Sequence, residues 1–327
     1  MAATAQVVSK PKPGMHSRRI RQSFLSRTLP FWLLLPSLLV LAVIQFYPGF
    51  YSIFLSTQDY QGGTMKYVGL QNFSKVIGSS SFTDSVWLTL MFLLGYAILT
   101  LSVSFTVALF LNRKLRLSGL YLTVIFIPWV LSDIIAGLVF RLFVVPDYGL
   151  LAPVFASPLF GSPDGISLLT TPPPSPLTEA IPFPPAPAMF LLIFAAAWKA
   201  VPFITLLILA ALQTVPREVL ESASIDGANG IASFRFITFP LVVPTLVVAM
   251  FNLTLGGING VGMVFSLTNG GPGTATEVLS FLLYTLGFGQ LEFGRAAALS
   301  VLMTVINLVL IALALRMSHS DSEGYKF

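Results

Sequence analysis

The side chains that most often carry catalysis or hold metals are scarce in this sequence. Cysteine is absent from the 327 residues, which excludes disulfides and zinc–thiolate sites. The two histidines, His16 and His319, lie in polar stretches near the ends, where we expect no metal or acid–base role. A GxxxxGK-(S/T) phosphate loop, a GxSxG elbow and an HExxH helix are also missing. We therefore expect no catalytic site, no metal site and no cofactor in this chain, so that any energy from ATP must come from another chain.

One ionisable side chain inside an apolar stretch is a better candidate for function: Lys199 lies near the middle of its stretch. Asp133, inside another stretch, is a candidate only for the membrane-embedded carboxylate that an ion-coupled secondary transporter would need. A charge at the bilayer centre costs roughly 2.5–3.5 kcal/mol on insertion scales, so such residues usually serve a function. Lys199 suits an anionic solute, but a lysine that snorkels or pairs with a partner subunit is equally consistent with the sequence. Arg141 and Arg295 lie nearer the ends of their stretches, where snorkelling is the better interpretation.

A further group of polar residues occupies the segment 214–240. Thr214 is a candidate N-cap for a short helix, and Asp226-Gly227 predicts a turn before a second short helix. This helix–turn–helix would present apolar side chains such as Phe234 on a charged scaffold. An amphipathic helix that lies on the membrane surface is the alternative interpretation.

The elements that must position these residues are membrane-spanning helices. The chain is 55% apolar and 9% charged, with a mean hydropathy of +0.85, whereas a soluble domain has about 25% charged residues. A span needs about 20 apolar residues, and six stretches are long enough: 29–55, 85–111, 117–144, 188–212, 241–264 and 294–315. The first is too long for a signal peptide and has no evident cleavage site. We therefore predict an all-α polytopic membrane protein, with six transmembrane helices at 29–316 between tails at 1–28 and 317–327.

The distribution of lysine and arginine predicts the orientation. With the N-terminus inside, the cytoplasmic segments hold thirteen of these residues and the opposite loops hold two, Lys66 and Lys75. By the positive-inside rule, both termini and the segment 214–240 are cytoplasmic. This distribution accounts for the net charge of +5 without a nucleic-acid partner.

The non-cytoplasmic loop at 145–187 is rich in proline. Between 146 and 187 it contains twelve of the 23 prolines and no lysine or arginine. Proline fixes φ and lacks a backbone donor, so we expect an extended segment. It is either a surface spacer or a docking surface for an extracytoplasmic partner.

The spacing within 214–240 resembles the EAA loop of ABC importer permeases. That loop reads EAA, three residues, G, nine residues, I, one residue, L, P, and the matching positions are Glu221-Ser222-Ala223, Gly227, Ile237 and Phe239-Pro240. Ser222 and Phe239 are mild departures from the pattern. Because the spacing, the topology and the cytoplasmic side agree, we prefer this interpretation to a surface helix.

The resemblance covers nearly the whole chain. The sequence is similar to sugar permeases of the class that pairs two different permeases, and to the larger maltose permease subunit with a much smaller extracytoplasmic insertion. The runs that carry it include Phe46-Tyr47-Pro48, Trp198-Lys199, Leu212-Gln213, Thr268-Asn269-Gly270-Gly271-Pro272 and Gly294-Arg295-Ala296.

The resemblance implies an importer of the bacterial cytoplasmic membrane. A second permease would complete the pore, an extracytoplasmic substrate-binding protein would deliver a carbohydrate, and an ATPase dimer would bind ATP and Mg and drive alternating access. The coupling residues that it implies are Glu221, Ser222, Ala223, Asp226, Gly227, Phe234, Ile237 and Pro240.

The same resemblance implies a substrate pathway. Where the maltose permease carries sugar-contacting asparagines, this chain has Gly-Gly-Ile-Asn-Gly at 256–260, and the glycines either widen a cavity or permit close packing. The candidate pathway residues are Lys199, Phe203, Gly257, Asn259 and Gly260.

We expect the transported solute to be an oligosaccharide, neutral or acidic. An importer of a non-sugar solute such as glycerol phosphate is the alternative within the family. An ion-coupled secondary transporter would leave the EAA spacing unexplained, and a membrane-embedded enzyme would need a nucleophile or metal set that the sequence lacks.

Overall fold

The computed structural model describes residues 29–61, 64–113, 116, 118–145, 148–151, 169 and 186–324. The predicted basic tail at 1–28 and most of the proline-rich loop lie outside these residues. The chain divides into two compact units, Met1–Phe54 and Leu55–Phe327. The described part of the first unit is most of helix α1 (Leu29–Ser56), which includes a π-helical turn at Ala42–Phe46.

Among its described residues, the regular structure of the second unit consists of helices and one short hairpin. Strands β1 (Gln58–Gln61) and β2 (Thr64–Tyr67) are antiparallel and pair Gln58 with Tyr67. The helices that follow are α2 (Gln71–Ile77), α3 (Ser80–Leu111), α4 (Ser118–Val130), α5 (Asp133–Val144), α6 (Pro187–Gln213), α7 (Arg217–Ile225), α8 (Gly230–Asn259), α9 (Gly262–Leu267), α10 (Leu279–Gly289) and α11 (Phe293–Gly324).

The predicted spans are present, but the third is broken. Five described helices are long and apolar enough to cross a membrane, and α4 and α5 make a sixth span only as a pair bent by 94°. Pro128 lies in the last turn of α4, and Ser132 is extended, with its Oγ accepting from the Ile135 N–H at 3.3 Å. A proline followed by a helix-capping serine thus ends one helix and begins the next. The all-α polytopic prediction is confirmed, with the span predicted at 117–144 corrected to two helices.

The predicted second short helix of the 214–240 segment and the fifth span form one continuous helix. Helix α8 begins after Asn229, whose Oδ1 accepts from the Ala232 N–H at 2.8 Å, and it continues to Asn259 through a π-helical turn at Phe234–Thr238. The predicted span 241–264 therefore ends early, because the backbone turns at Gly260 before α9 begins.

One local expectation from the sequence was wrong. Thr214 does not begin α7; it ends α6, and its hydroxyl donates to the Ala211 carbonyl at 2.8 Å. Arg295, near the start of α11, contacts the carboxylate of Glu292 three residues earlier. Helix α11 also continues to Gly324, into the stretch predicted as a tail.

The helices pack around three buried apolar clusters. One lies between α3, α5, α6, α9 and α10, and it includes Leu88, Ala136, Leu192, Leu267 and Phe281. A second joins α2, α8, α10 and α11, and the third joins α3, α6 and α8. Large apolar side chains also remain exposed along one face of α3, at Leu90, Leu94 and Ile98. A stripe with this helical spacing fits contact with lipid, since a water-facing helix would be polar there.

Glycine allows α5 and α9 to approach closely. A Cβ added to Gly137 would overlap Ser266 Oγ and lie 3.2 Å from the Leu267 backbone nitrogen. Because that nitrogen belongs to the backbone, it cannot move aside as a flexible side chain could. This contact holds the second half of the broken span against the short helix α9.

We predict that Gly137→Ala destabilises the protein by about 1–3 kcal/mol, the usual cost of overpacking a filled interior. The measurement is the thermal unfolding midpoint of the detergent-solubilised chain. The matched control is Gly119→Ala in α4, where nothing lies within 4 Å of the added Cβ. The control should keep or slightly raise the midpoint, because alanine is the better helix former. Equal midpoints for the two variants would contradict the close α5–α9 contact.

Candidate functional site

A cavity of about 210 Å³ lies at the level where two helices break. Its walls come from α3, α4, α5, α6, α8 and α9, and its lining residues are Phe92, Tyr96, Trp129, Asp133, Ala196, Lys199, Ala200, Phe203, Ile204, Asn252, Gly256, Gly257, Gly260, Met263 and Val264. Lys199 lies near the centre of α6, which spans Pro187–Gln213. The cavity is therefore near the middle of the membrane-spanning part of the fold.

The two intramembrane charges that the sequence offered as separate candidates form one ion pair. Lys199 Nζ lies 2.9 Å from Asp133 Oδ1, and both side chains line the cavity. Asp133 is in the first turn of α5, directly after the break at Leu131-Ser132. A carboxylate at a helix N-terminus is favoured by the helix dipole. The break thus brings a negative charge to the level of the lysine, within the same chain.

Aromatic rings form much of the cavity wall. Trp129 and Phe203 are stacked, with ring centroids 5.7 Å apart and an angle of 12° between the planes. Phe92 and Tyr96, both in α3, also stack, with ring centroids 5.4 Å apart and an angle of 7° between the planes. Apolar and aromatic walls with a few polar groups are the usual composition of a small-molecule site. Of these four rings, the sequence indicated Phe203 but not Phe92, Tyr96 or Trp129.

The cavity glycines differ in what they do. A Cβ at Gly256 would meet nothing within 4 Å, so this glycine borders open space. A Cβ at Gly257 would lie 2.6 Å from Leu93 Cδ2, so this glycine permits α8 to pack on α3. A Cβ at Gly260 would lie 2.8 Å from the Gly256 carbonyl oxygen of its own helix. Gly256 therefore leaves the cavity wider, whereas Gly257 permits close helix packing.

The amide that faces the cavity is Asn252 and not Asn259. Four of the five proposed pathway residues, all except Asn259, are among the lining residues. Asn259 Nδ2 donates to the Leu255 carbonyl at 2.7 Å, and its Oδ1 accepts from Asn307 Nδ2 of α11 at 3.2 Å. The spacing of Asn252, Gly256 and Gly260, four residues apart along α8, was the sequence signal for the cavity face.

The predicted coupling segment has a defined helix end. Gly227 has φ +85°, its N–H donates to the Ser224 carbonyl at 3.2 Å, and the Ala228 N–H donates to the Ala223 carbonyl at 2.9 Å. This pair of bonds is a Schellman motif with a left-handed residue after the C-cap, which here is Asp226. The spacing of alanine, three residues and glycine is therefore the spacing that this helix end requires.

The segment places some apolar side chains outward and others against the helix bundle. Ile225 and Ile231 are 87% and 79% exposed on either side of the turn. Phe234 packs edge-on against Phe105 of α3 at 5.7 Å, and Phe239 contacts both rings. Glu221, Ser222 and Asp226 are exposed, whereas Ala223, Ile237 and Pro240 are partly buried. The turn thus offers an apolar surface while its following helix is anchored to α3.

Among the described residues, no group of three or more histidine, aspartate or glutamate side chains is placed to hold a metal. The polar chemistry of the cavity is limited to an ion pair, an amide and a phenol. These groups can donate and accept hydrogen bonds.

The chain is similar to known membrane-transport proteins. The model of the family "binding-protein-dependent transport system inner membrane component" matches residues 100–319. The chain is 31% identical over 296 residues to the sn-glycerol-3-phosphate transport system permease protein UgpA of Agrobacterium fabrum, covering 90% of this chain and 95% of that protein. It is 32% identical over 243 residues to the trehalose/maltose transport system permease protein MalF of Thermococcus litoralis, covering 73% and 76%.

A solved structure shares the fold. A chain in the crystal structure of a bacterial alginate ABC transporter, in complex with an alginate pentasaccharide-bound periplasmic protein, matches with a TM-score of 0.71. That match covers 90% of this chain and 96% of the other at 23% identity.

The cavity predicts a pattern of water access that single cysteines can report, because the chain has none of its own. We expect Asn252→Cys and Gly256→Cys to react with a membrane-impermeant maleimide. Asn259→Cys is the matched control on the same helix, and it should react at least about tenfold more slowly, because its side chain lies outside the cavity beside Asn307 of α11 and thiolates form in water. Reaction rates are followed by mass spectrometry of the assembled protein in membranes. Equal rates at all three positions would contradict the assignment of the cavity face.

Proposed function

Because this chain belongs to the family of binding-protein-dependent transport system inner membrane components, we propose that it is one transmembrane subunit of an ABC importer for an oligosaccharide. It is a multi-pass membrane protein with the fold of such permeases. Its task in this proposal is to pass the solute into the cytoplasm by alternating access, with both termini on the cytoplasmic side.

The observation that carries the proposal is the aromatic and polar cavity at mid-span. Sugar rings present apolar C–H faces and a rim of hydroxyls, so they are bound by aromatic surfaces together with a few hydrogen-bonding groups. Trp129 stacked on Phe203 supplies such a surface, and Asp133, Lys199 and Asn252 supply the polar groups. Nothing lies within 4 Å of a Cβ added at Gly256, so this face of α8 leaves space beside these groups for a bound ring.

The size of the cavity supports a second permease as a partner. Its volume of about 210 Å³ is below the roughly 300–1,000 Å³ of ordinary small-molecule sites. An oligosaccharide needs more space than this chain encloses, so the proposal assigns the remaining wall to another transmembrane subunit. An extracytoplasmic substrate-binding protein delivers the solute, in keeping with the family description. The proline-rich loop at 145–187 remains a candidate docking surface for it.

An ATPase dimer that binds ATP and Mg is the proposed source of energy, and the coupling segment is its docking point. The exposed Ile225 and Ile231 flank the turn and suit an apolar groove on that partner. In this proposal, two helices connect the coupling segment to the cavity and can transmit its movement. Helix α8 is continuous from Gly230 to Asn252, about 33 Å at 1.5 Å per residue. Phe234 also contacts Phe105, and α3 continues from there to Tyr96 in the cavity wall.

A glycerol phosphate importer is the second candidate. It is favoured by the relative from Agrobacterium fabrum, whose name describes a sn-glycerol-3-phosphate transport system. A phosphate ester is a compact dianion and usually binds to arginine, lysine or helix N-termini. The lysine in this cavity already has a carboxylate partner, which makes the oligosaccharide the better candidate.

Reconstitution with the proposed partners tests the function. We expect the purified chain alone to hydrolyse no ATP. Together with a second permease, the ATPase subunits and the binding protein, we expect ATP-dependent uptake of a radiolabelled oligosaccharide into proteoliposomes. ATP hydrolysis by the isolated chain would contradict the role as a permease. Uptake of glycerol phosphate without uptake of any oligosaccharide would favour the second candidate.

We also predict that Gly227→Val uncouples ATP hydrolysis from transport. Valine is strongly disfavoured at φ +85°, so the Schellman end of α7 should open and the apolar surface around it should be lost. The expected result is normal membrane insertion, weaker co-purification of the ATPase and at least about tenfold slower uptake, since even ~1.4 kcal/mol of lost binding gives that factor. Gly227→Asn is the matched control, because asparagine tolerates a left-handed backbone. If valine supports the same uptake as asparagine, the turn has no part in coupling.

A further inference from the structure

The charges of the cavity come from one lysine and one aspartate. Of the residues that line it, Asp133 carries the one carboxylate and Lys199 the one ammonium group; the others are aromatic, aliphatic, glycine or amide residues. With their charged atoms 2.9 Å apart, the formal charges cancel where the solute would bind. The cavity therefore differs from the positively charged site that the lysine alone would make.

The two members of the pair are not equally accessible. The Lys199 side chain is 21% exposed, whereas the Asp133 side chain is 47% exposed. The carboxylate lies at the first turn of α5 and projects from the break, while the lysine leaves the middle of a continuous helix. The aspartate is therefore the more exposed member of a pair that lines the cavity. Carboxylate oxygens accept hydrogen bonds, so this surface suits hydroxyl donors and disfavours anions.

The break positions Asp133 firmly. The residue is fixed by the Ser132 cap on one side and by Gly262 of α9 on the other, where an added Cβ would lie 3.0 Å from Asp133 Cβ. The backbone at Asp133 is therefore held between two helix starts, and from there its carboxylate contacts Lys199 in the cavity wall.

We infer that Asp133 determines which solute charge the cavity accepts, and that the accepted class is an uncharged polyhydroxy compound. The carboxylate cancels the Lys199 charge and presents acceptors to hydroxyl groups. This inference rests on the proposed function, because it names the substrate class of the same cavity. It also assigns Asp133 as a specificity-determining residue: without its carboxylate the unpaired lysine would favour anions.

The experiment measures binding to the assembled importer without its binding protein, so that the specificity is that of the membrane site. The probes are neutral trisaccharides and their uronate counterparts, oxidised at C6 and otherwise identical. Isothermal titration calorimetry gives the ratio of the two affinities for wild type, Asp133→Asn, Lys199→Met and the double variant. Asp133→Glu retains the charge and serves as the conservative variant.

Wild type is expected to bind the neutral member more tightly. Asp133→Asn should shift the ratio toward the uronate by about tenfold or more, because an unpaired ammonium in a partly desolvated site attracts anions. Lys199→Met should shift the affinity ratio further toward the neutral sugar. The double variant and Asp133→Glu should both retain the neutral preference. The double variant carries neither charge, so it also reports on the cavity if a single unpaired charge prevents folding.

A matched control comes from another ion pair, beside the start of α11. Glu292→Gln makes the same carboxyl-to-amide change in the contact with Arg295, which does not line the cavity, and it should leave the ratio unchanged. Equal wild-type affinities for neutral and uronate sugars, or an unchanged ratio in Asp133→Asn, would overturn the charge assignment while leaving an oligosaccharide importer intact. Binding of glycerol phosphate with no binding of either sugar would overturn the proposed function and this inference together.

Discussion

The structure depends on the requirement that backbone polar groups inside a membrane be satisfied within the protein. A helix does this along its length, so a break is tolerated where other groups of the protein complete the hydrogen bonds. At the first break the Ser132 side chain accepts from Ile135. At the second, the Gly260 carbonyl accepts from Ser280 Oγ at 3.2 Å, and nearby the Leu279 N–H donates to Thr89 Oγ1 at 2.9 Å. The first break is therefore capped from within its own helix and the second by a side chain of a neighbouring helix, and the cavity forms between them.

This requirement explains which parts of the fold the sequence could predict. Long apolar stretches identify the spans, because length and composition decide whether a helix can cross a bilayer. The break at Leu131-Ser132 also had a local signal, since Pro128 and a serine N-cap lie within five residues of each other. The apolar pattern continues through both, and this continuity favoured one helix over two. The end of α8 had the same ambiguity, because Gly260 interrupts an apolar run that resumes in α9.

The candidate site was harder to predict, because its geometry depends on pairs distant in sequence. Lys199 and Asp133 are each recognisable as intramembrane charges, but nothing local indicates that the 94° bend brings them to 2.9 Å. Gly256 and Gly257 are adjacent and identical in type, yet one borders open space and the other touches Leu93. Successive helix positions point about 100° apart, so only the neighbouring helices decide which glycine packs. In contrast, the motif at Ala223 and Gly227 was predictable because its hydrogen bonds are local.

The coupling segment and the cavity wall are parts of the same element, and this continuity constrains how the protein can move. Helix α8 carries the N-cap Asn229 at one end and the cavity residues Asn252 and Gly256 toward the other. A loop between them could absorb a displacement, but a continuous helix transmits it. The π-helical turn at Phe234–Thr238 is the place where the hydrogen-bond ladder departs from α geometry. That turn is held against α3 by the contacts of Phe234 with Phe105. In the proposed coupling, a force applied at the turn after α7 would reach the cavity through α3 and α8 together, the two helices whose close packing Gly257 permits.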